Sequence, residues 1–187
     1  MKSFGSKDWV LPQPVLIIGT YDRNGNPNAM NAAWGGQWDR NEIFISLGSH
    51  QTTDNLALND ELTIAFATTD TLVASDFVGI VSRRNDPAKM QKTGWKSQKA
   101  PNVNAPVFDV FPLTLECRIS RRIDATPEGG YFVAQIVNTL CKEEYLAPDG
   151  KPDVEKLNLI TFDPVHLGYI RLGNRIGDAF SAGNQLK

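Results

Sequence analysis

Hydrophobic and polar residues alternate with a period of two over Leu113–Ser120, more regularly than elsewhere in the chain. The apolar set is Leu113, Leu115, Cys117 and Ile119, and the polar set is Thr114, Glu116, Arg118 and Ser120. Because successive side chains of a strand point to opposite faces, this pattern predicts a strand with one face in a core and one face in water.

Other segments predict strands from their content of β-branched and apolar residues. They are Val15–Tyr21, Asn28–Trp34, Glu42–Leu47, Leu62–Thr68 and Tyr131–Cys141. The residues between the first two include Asn24-Gly25, a pair that tolerates positive φ, so we expect a hairpin there. The strand that returns from this hairpin is expected to stop at Gly35-Gly36.

Helix signals are few and short. Thr53-Asp54-Asn55 predicts the capped start of a helix that ends at Asn59-Asp60. A second helix is predicted over Thr71–Val81, and a short one over Lys89–Lys92 within the otherwise loop-like, proline-containing stretch Ser82–Pro106. Many strands with few helices predict a mainly β fold, a closed β-barrel with a few peripheral helices packed outside.

Size and charge narrow the functional classes. The 187 residues fit one domain spanning 1–187, large enough to bury roughly 70% of its unfolded surface. The net charge of -2 gives no broad basic field, so neither nucleic acid nor an anionic membrane is expected as a partner. Apolar stretches are too short to cross a bilayer, and Met1–Pro14 has no signal-like apolar core, so we expect a cytoplasmic protein.

Local catalytic motifs are absent from the sequence. It contains no GxSxG, no GxGxxG and no GxxxxGK[ST], and its two histidines and two cysteines are too few and too scattered to predict a metal site. Cys117 and Cys141 are interpreted as free thiols in strands. We therefore expect no catalytic side chain and no metal, with any chemistry carried by a bound cofactor.

Two segments are unusual for a plain core. Asn28–Gly36 places two amides, several small residues and a tryptophan in one strand, where a flat ring could approach the backbone; an edge strand with a surface tryptophan explains it equally well. Ser46–Thr53 joins a strand end to a helix start with hydroxyls, an amide and an imidazole, a suitable phosphate site. Simple helix capping is the alternative for this second segment.

Basic residues follow the second predicted helix. Arg83, Arg84 and Lys89 would bring a cation to such a phosphate, whereas a solvated basic loop is the more common meaning of this pattern.

Five pieces in order carry a resemblance that covers nearly the whole chain. They are Pro12–Val15 with its following hairpin, Asn28–Gly36, Ser46–Asn55, Phe77–Ser82 leading to Asp86 and Lys89, and Leu172-Gly173 with Ala179–Gly183. In these pieces the sequence resembles the flavoredoxin branch of the flavin reductase-like, FMN-binding split-barrel proteins. The resemblance implies a six-stranded split barrel, a homodimer with FMN near the subunit interface, and electron transfer from NADH, NADPH or a redox protein through FMN to an acceptor.

The resemblance also implies which residues bind FMN. Asn28, Asn31 and Trp34 would line the isoalloxazine ring, and the backbone of Ala29–Ala33 would meet its polar edge. The ribityl chain and phosphate would contact the hydroxyl-rich segment and the basic loop. The complete implied set is Asn28, Ala29, Met30, Asn31, Ala32, Ala33, Trp34, Ser46, Ser49, His50, Gln51, Thr52, Thr53, Ser82 and Lys89, with Lys89 giving the phosphate its cation.

One departure from the family pattern concerns charge. Where many relatives have Arg or Lys just before the phosphate-binding Thr, this chain has His50-Gln51, so we expect weaker or pH-dependent FMN binding. Two other functions remain open: a barrel that binds or stores a flavin or another planar anion without turnover, and a single-stranded nucleic-acid module. The latter would need a basic groove.

Overall fold

The computed structural model describes residues 1–126 and 128–186, so positions 127 and 187 of the expected domain lie outside it. The strands are β1 (Gln13–Pro14), β2 (Leu16–Tyr21), β3 (Pro27–Ala32), β4 (Gly35–Asp39), β5 (Glu42–Gly48), β6 (Glu61–Phe66), β7 (Ser97–Lys99), β8 (Pro106–Phe108), β9 (Leu113–Thr126), β10 (Gly129–Cys141), β11 (Ile160–Asp163) and β12 (Gly168–Arg171). The helices are α1 (Gln51–Leu58), α2 (Leu72–Ile80) and α3 (Lys89–Thr93), with 3-10 turns at Glu143–Tyr145 and Ala182–Leu186.

A seven-stranded sheet in the order β3-β2-β6-β9-β10-β5-β4 forms the main body, and all its strand pairs are antiparallel. The predicted hairpin is confirmed: Leu16 pairs with Ala32 and Tyr21 with Pro27. Asp22 closes its turn, because Oδ1 accepts bonds from the backbone N–H groups of Asn24 at 2.8 Å and Asn26 at 2.9 Å.

The main core lies inside the curled sheet. Buried side chains from β2, β3, β5, β6, β9 and β10 converge on one cluster, which Leu56 of α1 completes. Six strands therefore enclose the core as the split-barrel expectation requires, while β4 extends the sheet as an edge strand paired to β5. The mainly β prediction is confirmed.

A second apolar cluster covers the outer face of β2, β3 and β6. Val15 and Ile17 point into this cluster, whereas Leu16 and Ile18 point into the barrel. Residues of α2, α3, β8 and β11 provide the opposing side chains. Burial on both faces explains why β2 is apolar without alternation.

Several elements differ from the sequence prediction. The strand after the hairpin does stop before Gly35-Gly36, since β3 ends at Ala32, but this pair begins the further strand β4. A Cβ on Gly35 would be 2.6 Å from Phe44 O, so no side chain fits beside β5 there. The hairpin β7–β8 and the three-stranded sheet β1-β11-β12 were not predicted. Both helices beyond α1 lie where the sequence places them.

Two further observations concern the buried thiol of Cys117 and the length of the helices. Cys117 is buried in the barrel core, where burial and the neighbouring Glu116 carboxylate raise its pKa to about 12, so it is an unreactive thiol. Within the described residues, no helix combines the length and apolar character that a bilayer crossing requires.

Candidate functional site

A groove of about 650 Å³ opens where the ends of β3 and β5 meet the tip of the β9–β10 hairpin. The predicted cofactor residues that line it are Met30, Asn31, Ala32, Ala33, Trp34, Ser46 and His50. Its volume lies within the range of roughly 300–1,000 Å³ typical of small-molecule sites. A backbone bond from Ser46 N to Trp34 O, 2.8 Å long, joins two of the lining segments directly.

The groove has small residues between aromatic walls. Ala32, Ala33 and Gly48 leave the floor without bulky side chains, while Trp34 and Phe162 are among the aromatic residues that border it. Trp34 is 57% exposed, so its indole is available at the mouth. Such a shape suits a flat, mostly apolar ring with polar edges.

The start of α1 gives the groove a polar end, where an arginine paired with a carboxylate lies next to His50. The guanidinium of Arg84 donates to Ser49 Oγ at 2.9 Å and to the backbone oxygen of His50 at 3.2 Å, and forms a bidentate pair with Asp54. The first N–H groups of a helix and an arginine fork are both suited to an anion such as phosphate. Arg84 thus contacts both Ser49 and the backbone of His50, and Asp54 balances its charge.

His50 lies between this cation and the groove. Its imidazole is close to Gly48, since a Cβ there would be 3.7 Å from Nε2. Burial lowers the pKa of His50 below its ordinary value of 6.5, and the charges of Lys89 and Arg84 lower it further. The imidazole is therefore neutral at neutral pH.

Asn28, Ala29 and Thr52 lie behind the groove rather than on its surface. Asn28 Nδ2 donates to Thr52 Oγ1 at 2.9 Å, and each of the three residues is at most 1% exposed. This buried bond ties β3 to α1. The expectation that these three residues contact the cofactor is therefore corrected to a supporting role.

Lys89 also differs from its predicted role as the phosphate cation. The residue is 2% exposed, and Nζ donates to Ala29 O at 2.7 Å and to Val78 O at 2.8 Å. Burial, with a contribution from the nearby Arg83 charge, lowers its pKa to about 8. The ammonium joins β3 to the last turn of α2, and Arg84 rather than Lys89 stands at the start of α1.

The remaining predicted residues surround the start of α1 without entering the groove. Thr53 Oγ1 bonds the backbone of His50, which is helix capping, and Gln51 Nε2 donates to Asn55 Oδ1 at 2.9 Å. Gln51 and Thr53 line a separate cavity of about 750 Å³ on the other side of α1. Ser82 Oγ accepts from Arg84 N at 3.3 Å and so supports the turn that carries Arg84.

Sequence reasoning missed the hairpin side of the groove. Leu47, Gly48, Asp124, Thr126, Glu128, Gly129, Gly130, Tyr131 and Phe162 also line it. The sequence offers one signal for this part of the groove, the pair Gly129-Gly130. In the structure a Cβ on Gly129 would be 2.3 Å from Leu47 O, because β10 approaches β5 closely at this position. Nothing in the sequence indicates that Phe162 reaches the same place.

The fold and the groove agree with a comparison of the sequence with known families. Residues 9–154 match the model of the flavin reductase like domain. The chain belongs to the flavin reductase-like family. Among the curated proteins, none matches this sequence significantly.

Solved structures with the same fold include flavoredoxins. Flavoredoxin of Desulfovibrio vulgaris (Miyazaki F) is 30% identical, with a TM-score of 0.91 and coverage of 98% of this chain and 99% of that one. Flavoredoxin from Methanosarcina acetivorans is 24% identical, with a TM-score of 0.88 and full coverage of both chains, 100% each. An FMN-binding domain of a flavin reductase-like enzyme from Shewanella baltica OS155 is 16% identical, with a TM-score of 0.73 and 89% coverage of each chain.

The side chains that line the groove of this flavin reductase-like chain determine which ligands it can bind. Its polar side chains include the amide of Asn31, the neutral imidazole of His50 and the carboxylates of Asp124 and Glu128. Across the described part of the chain, no group of three or more His, Cys, Asp or Glu residues is placed to hold a metal ion. The arrangement is equipped to bind and orient a planar ring with polar edges.

Proposed function

We propose that this protein is an FMN-dependent oxidoreductase of the flavin reductase and flavoredoxin type. It would take electrons from NADH, NADPH or a redox protein and pass them through FMN to an acceptor. The observation that carries the proposal is the groove of about 650 Å³ with small residues on its floor and an arginine at its helix end, in a chain of this family.

The residues present fit FMN. The planar ring matches the space above Ala32, Ala33 and Gly48, bordered by aromatic side chains. The phosphate matches the start of α1, where Arg84 reaches Ser49.

The protein's part in the reaction is binding and orientation. Bound FMN supplies a ring that accepts a hydride or single electrons from a donor. Trp34 shields one side of the groove, and the exposed mouth leaves access for a nicotinamide ring or a redox partner. No acid or base side chain is needed, because positioning of two rings is the main requirement for hydride transfer.

We further propose that the protein is a cytoplasmic homodimer, in which a second copy covers part of the groove mouth. Trp34 and Trp38, 57% and 49% exposed, are the support, since aromatic side chains are enriched in interfaces. Sedimentation equilibrium at micromolar concentration tests it. Twice the chain mass supports the dimer, and a monomer of the FMN-loaded protein rejects it.

The test of the reaction is an anaerobic titration of FMN-loaded protein with NADH and with NADPH. Loss of the flavin absorbance near 450 nm, faster than for the same concentration of free FMN, supports nicotinamide-linked reduction. If neither nucleotide reduces the bound flavin but a reduced ferredoxin does, the donor is a redox protein. If no donor reduces it, the protein stores or binds flavin, and the enzymatic proposal fails.

A further inference from the structure

The side-chain amide of Asn31, on the wall of the groove, has a defined orientation. Nδ2 donates to the backbone oxygen of Ser75 at 3.1 Å and lies 3.4 Å from Tyr169 Oη. A backbone carbonyl only accepts hydrogen bonds, so the NH₂ end must face Ser75 in α2. The carbonyl oxygen, Oδ1, is then the end that Asn31 offers to a ligand.

Tyr169 and Asp76 extend this arrangement away from the groove. Tyr169 Oη donates to Asp76 Oδ1 at 2.7 Å, so the phenol uses its only proton on the carboxylate and receives Asn31 Nδ2 as an acceptor. Burial and the Asp76 carboxylate raise the pKa of Tyr169 to about 12, so the phenol keeps its proton at physiological pH. Hydrogen-bond donation therefore runs in one direction, from Asn31 through Tyr169 to Asp76.

Packing holds the same three residues in place. A Cβ on Gly79 would be 3.0 Å from Asn31 Cβ, so α2 presses closely on β3 at this point. The ring of Tyr169 packs edge-on against Phe162, with centroids 6.0 Å apart, and Phe162 itself lines the groove. Rotation of the Asn31 amide would break its bonds to Ser75 O and Tyr169 Oη.

We propose that Tyr169 and Asp76 are positioning residues that hold the Asn31 amide with its carbonyl oxygen available to the groove. The groove then selects a planar ligand that carries an imide N–H on its edge. For the identity of that ligand the inference rests on the proposed function, because the ring of FMN has such an N–H at N3.

The test compares the dissociation constants of FMN and of 3-methyl-FMN, in which the N3 proton is replaced by a methyl group. Wild-type protein should prefer FMN by about tenfold or more, the effect of losing one hydrogen bond. Tyr169→Phe keeps the ring against Phe162 but removes the hydroxyl, so the preference should fall to about threefold or less. Asp76→Ala should act in the same direction, whereas Asp76→Asn keeps an acceptor for the phenol and should restore most of the preference.

Tyr145→Phe is the matched control, since it removes a hydroxyl from a tyrosine on the 3-10 turn Glu143–Tyr145, outside the groove lining, and should leave the preference unchanged. Circular dichroism checks that each variant folds; if Tyr169→Phe does not, the pair Asp76→Ala and Asp76→Asn on α2 decides. An equal preference in wild type, Tyr169→Phe and Asp76→Ala overturns the positioning role while leaving FMN binding intact. Failure of the wild type to bind FMN at all overturns the proposed function, and this inference with it.

Discussion

Lys89 and Arg84 lie in the same basic segment but have different roles in the structure. Nζ of Lys89 binds Val78 O, one of the last carbonyls of α2, where a positive charge also suits the negative end of the helix dipole. Arg84 is among the exposed residues and reaches the opposite kind of helix end, the start of α1. The sequence shows Arg83, Arg84 and Lys89 near one another, but tertiary contacts determine the partner of each. Arg83 and Arg84 pair with Asp22 and Asp54, whereas Lys89 binds two backbone carbonyls.

Lys89→Met should therefore destabilise the fold. The substitution leaves the carbonyl oxygens of Ala29 and Val78 buried without partners, which costs about 2–4 kcal/mol in the free energy of unfolding. Urea unfolding measures it, with Lys92→Met as the control, because Lys92 is exposed and its surface ion pair contributes only about 0–1 kcal/mol.

The pH dependence of the free energy of unfolding, measured for the wild type and for Lys89→Met, tests the charge of Lys89. Its pKa in the folded state is lowered to about 8 from 10.5, so the unfolded chain binds more protons between these values. The free energy of unfolding of the wild type should rise relative to Lys89→Met as pH increases through this window. A difference that is independent of pH, or a fully stable Lys89→Met, would contradict the buried ammonium.

Arg84→Ala should weaken FMN binding about tenfold while leaving riboflavin binding within about twofold, because only FMN carries the phosphate. Arg83→Ala is the matched control, since the guanidinium of Arg83 is held by Asp22 at 3.0 Å and by Pro27 O at 3.4 Å rather than by Ser49 or His50. Fluorescence quenching of the two flavins measures the four affinities. An equal loss for both flavins would place Arg84 in a structural role instead.

His50 should make FMN affinity depend on pH only in the acid range. Burial and the charges of Lys89 and Arg84 lower its pKa below 6.5, so the imidazole is neutral at pH 7–8 and gains its charge only at more acid pH. The phosphate also gains a proton near pH 6, so the informative quantity is the ratio of wild-type to His50→Gln affinity. That ratio should rise toward pH 5; a ratio that is constant from pH 5 to 8 excludes His50 from the phosphate end.

At the scale of elements, the β9–β10 hairpin connects fold and site. Gly129 has a φ of +132°, and a Cβ there would meet Leu47 O at 2.3 Å and Gly48 Cα at 2.8 Å. The start of β10 therefore lies directly on the end of β5, where both border the groove. Any side chain at this position must push the two strands apart.

Gly129→Ala should lower the free energy of unfolding by at least about 2 kcal/mol, from overlap added to backbone strain. Gly150→Ala is the control, because Gly150 also has positive φ, +77°, but has open space around its Cβ. It reports the backbone cost alone, about 1 kcal/mol. Similar losses in the two variants on thermal or urea unfolding would mean that the contact with β5 is not tight.

Elements with strong local signals were predictable, and those defined by partners were not. The alternation in β9, the Asn-Gly turn before β3 and the apolar spacing of α2 are local properties of the sequence. In contrast, β4, β7 and β8 exist because another strand lies beside them, and their own residues, such as Ser97–Lys99, carry no strand preference. Paired neighbours, rather than composition, determine such short edge strands.

At the scale of the whole molecule, the barrel follows from the strand pattern, but the groove requires the assembled chain. Trp34, Ser46, Tyr131 and Phe162 come from four separate segments that the sheet order brings together. The sequence identified the first two through small and polar residues in unusual places. Tyr131 and Phe162 resemble ordinary strand residues, so their part in the groove was visible only in the structure.

The most direct test of the account is an FMN titration of the wild-type protein and of Gly48→Trp, followed by flavin fluorescence. Among the described residues, only the His50 ring lies within 4 Å of a Cβ at Gly48, so the side chain of a tryptophan there starts in open space and occupies the groove. We predict one FMN per chain with a dissociation constant of about 10 μM or lower, and binding at least about tenfold weaker in Gly48→Trp. No binding by the wild type, or equal binding by both proteins, would contradict an FMN site in this groove.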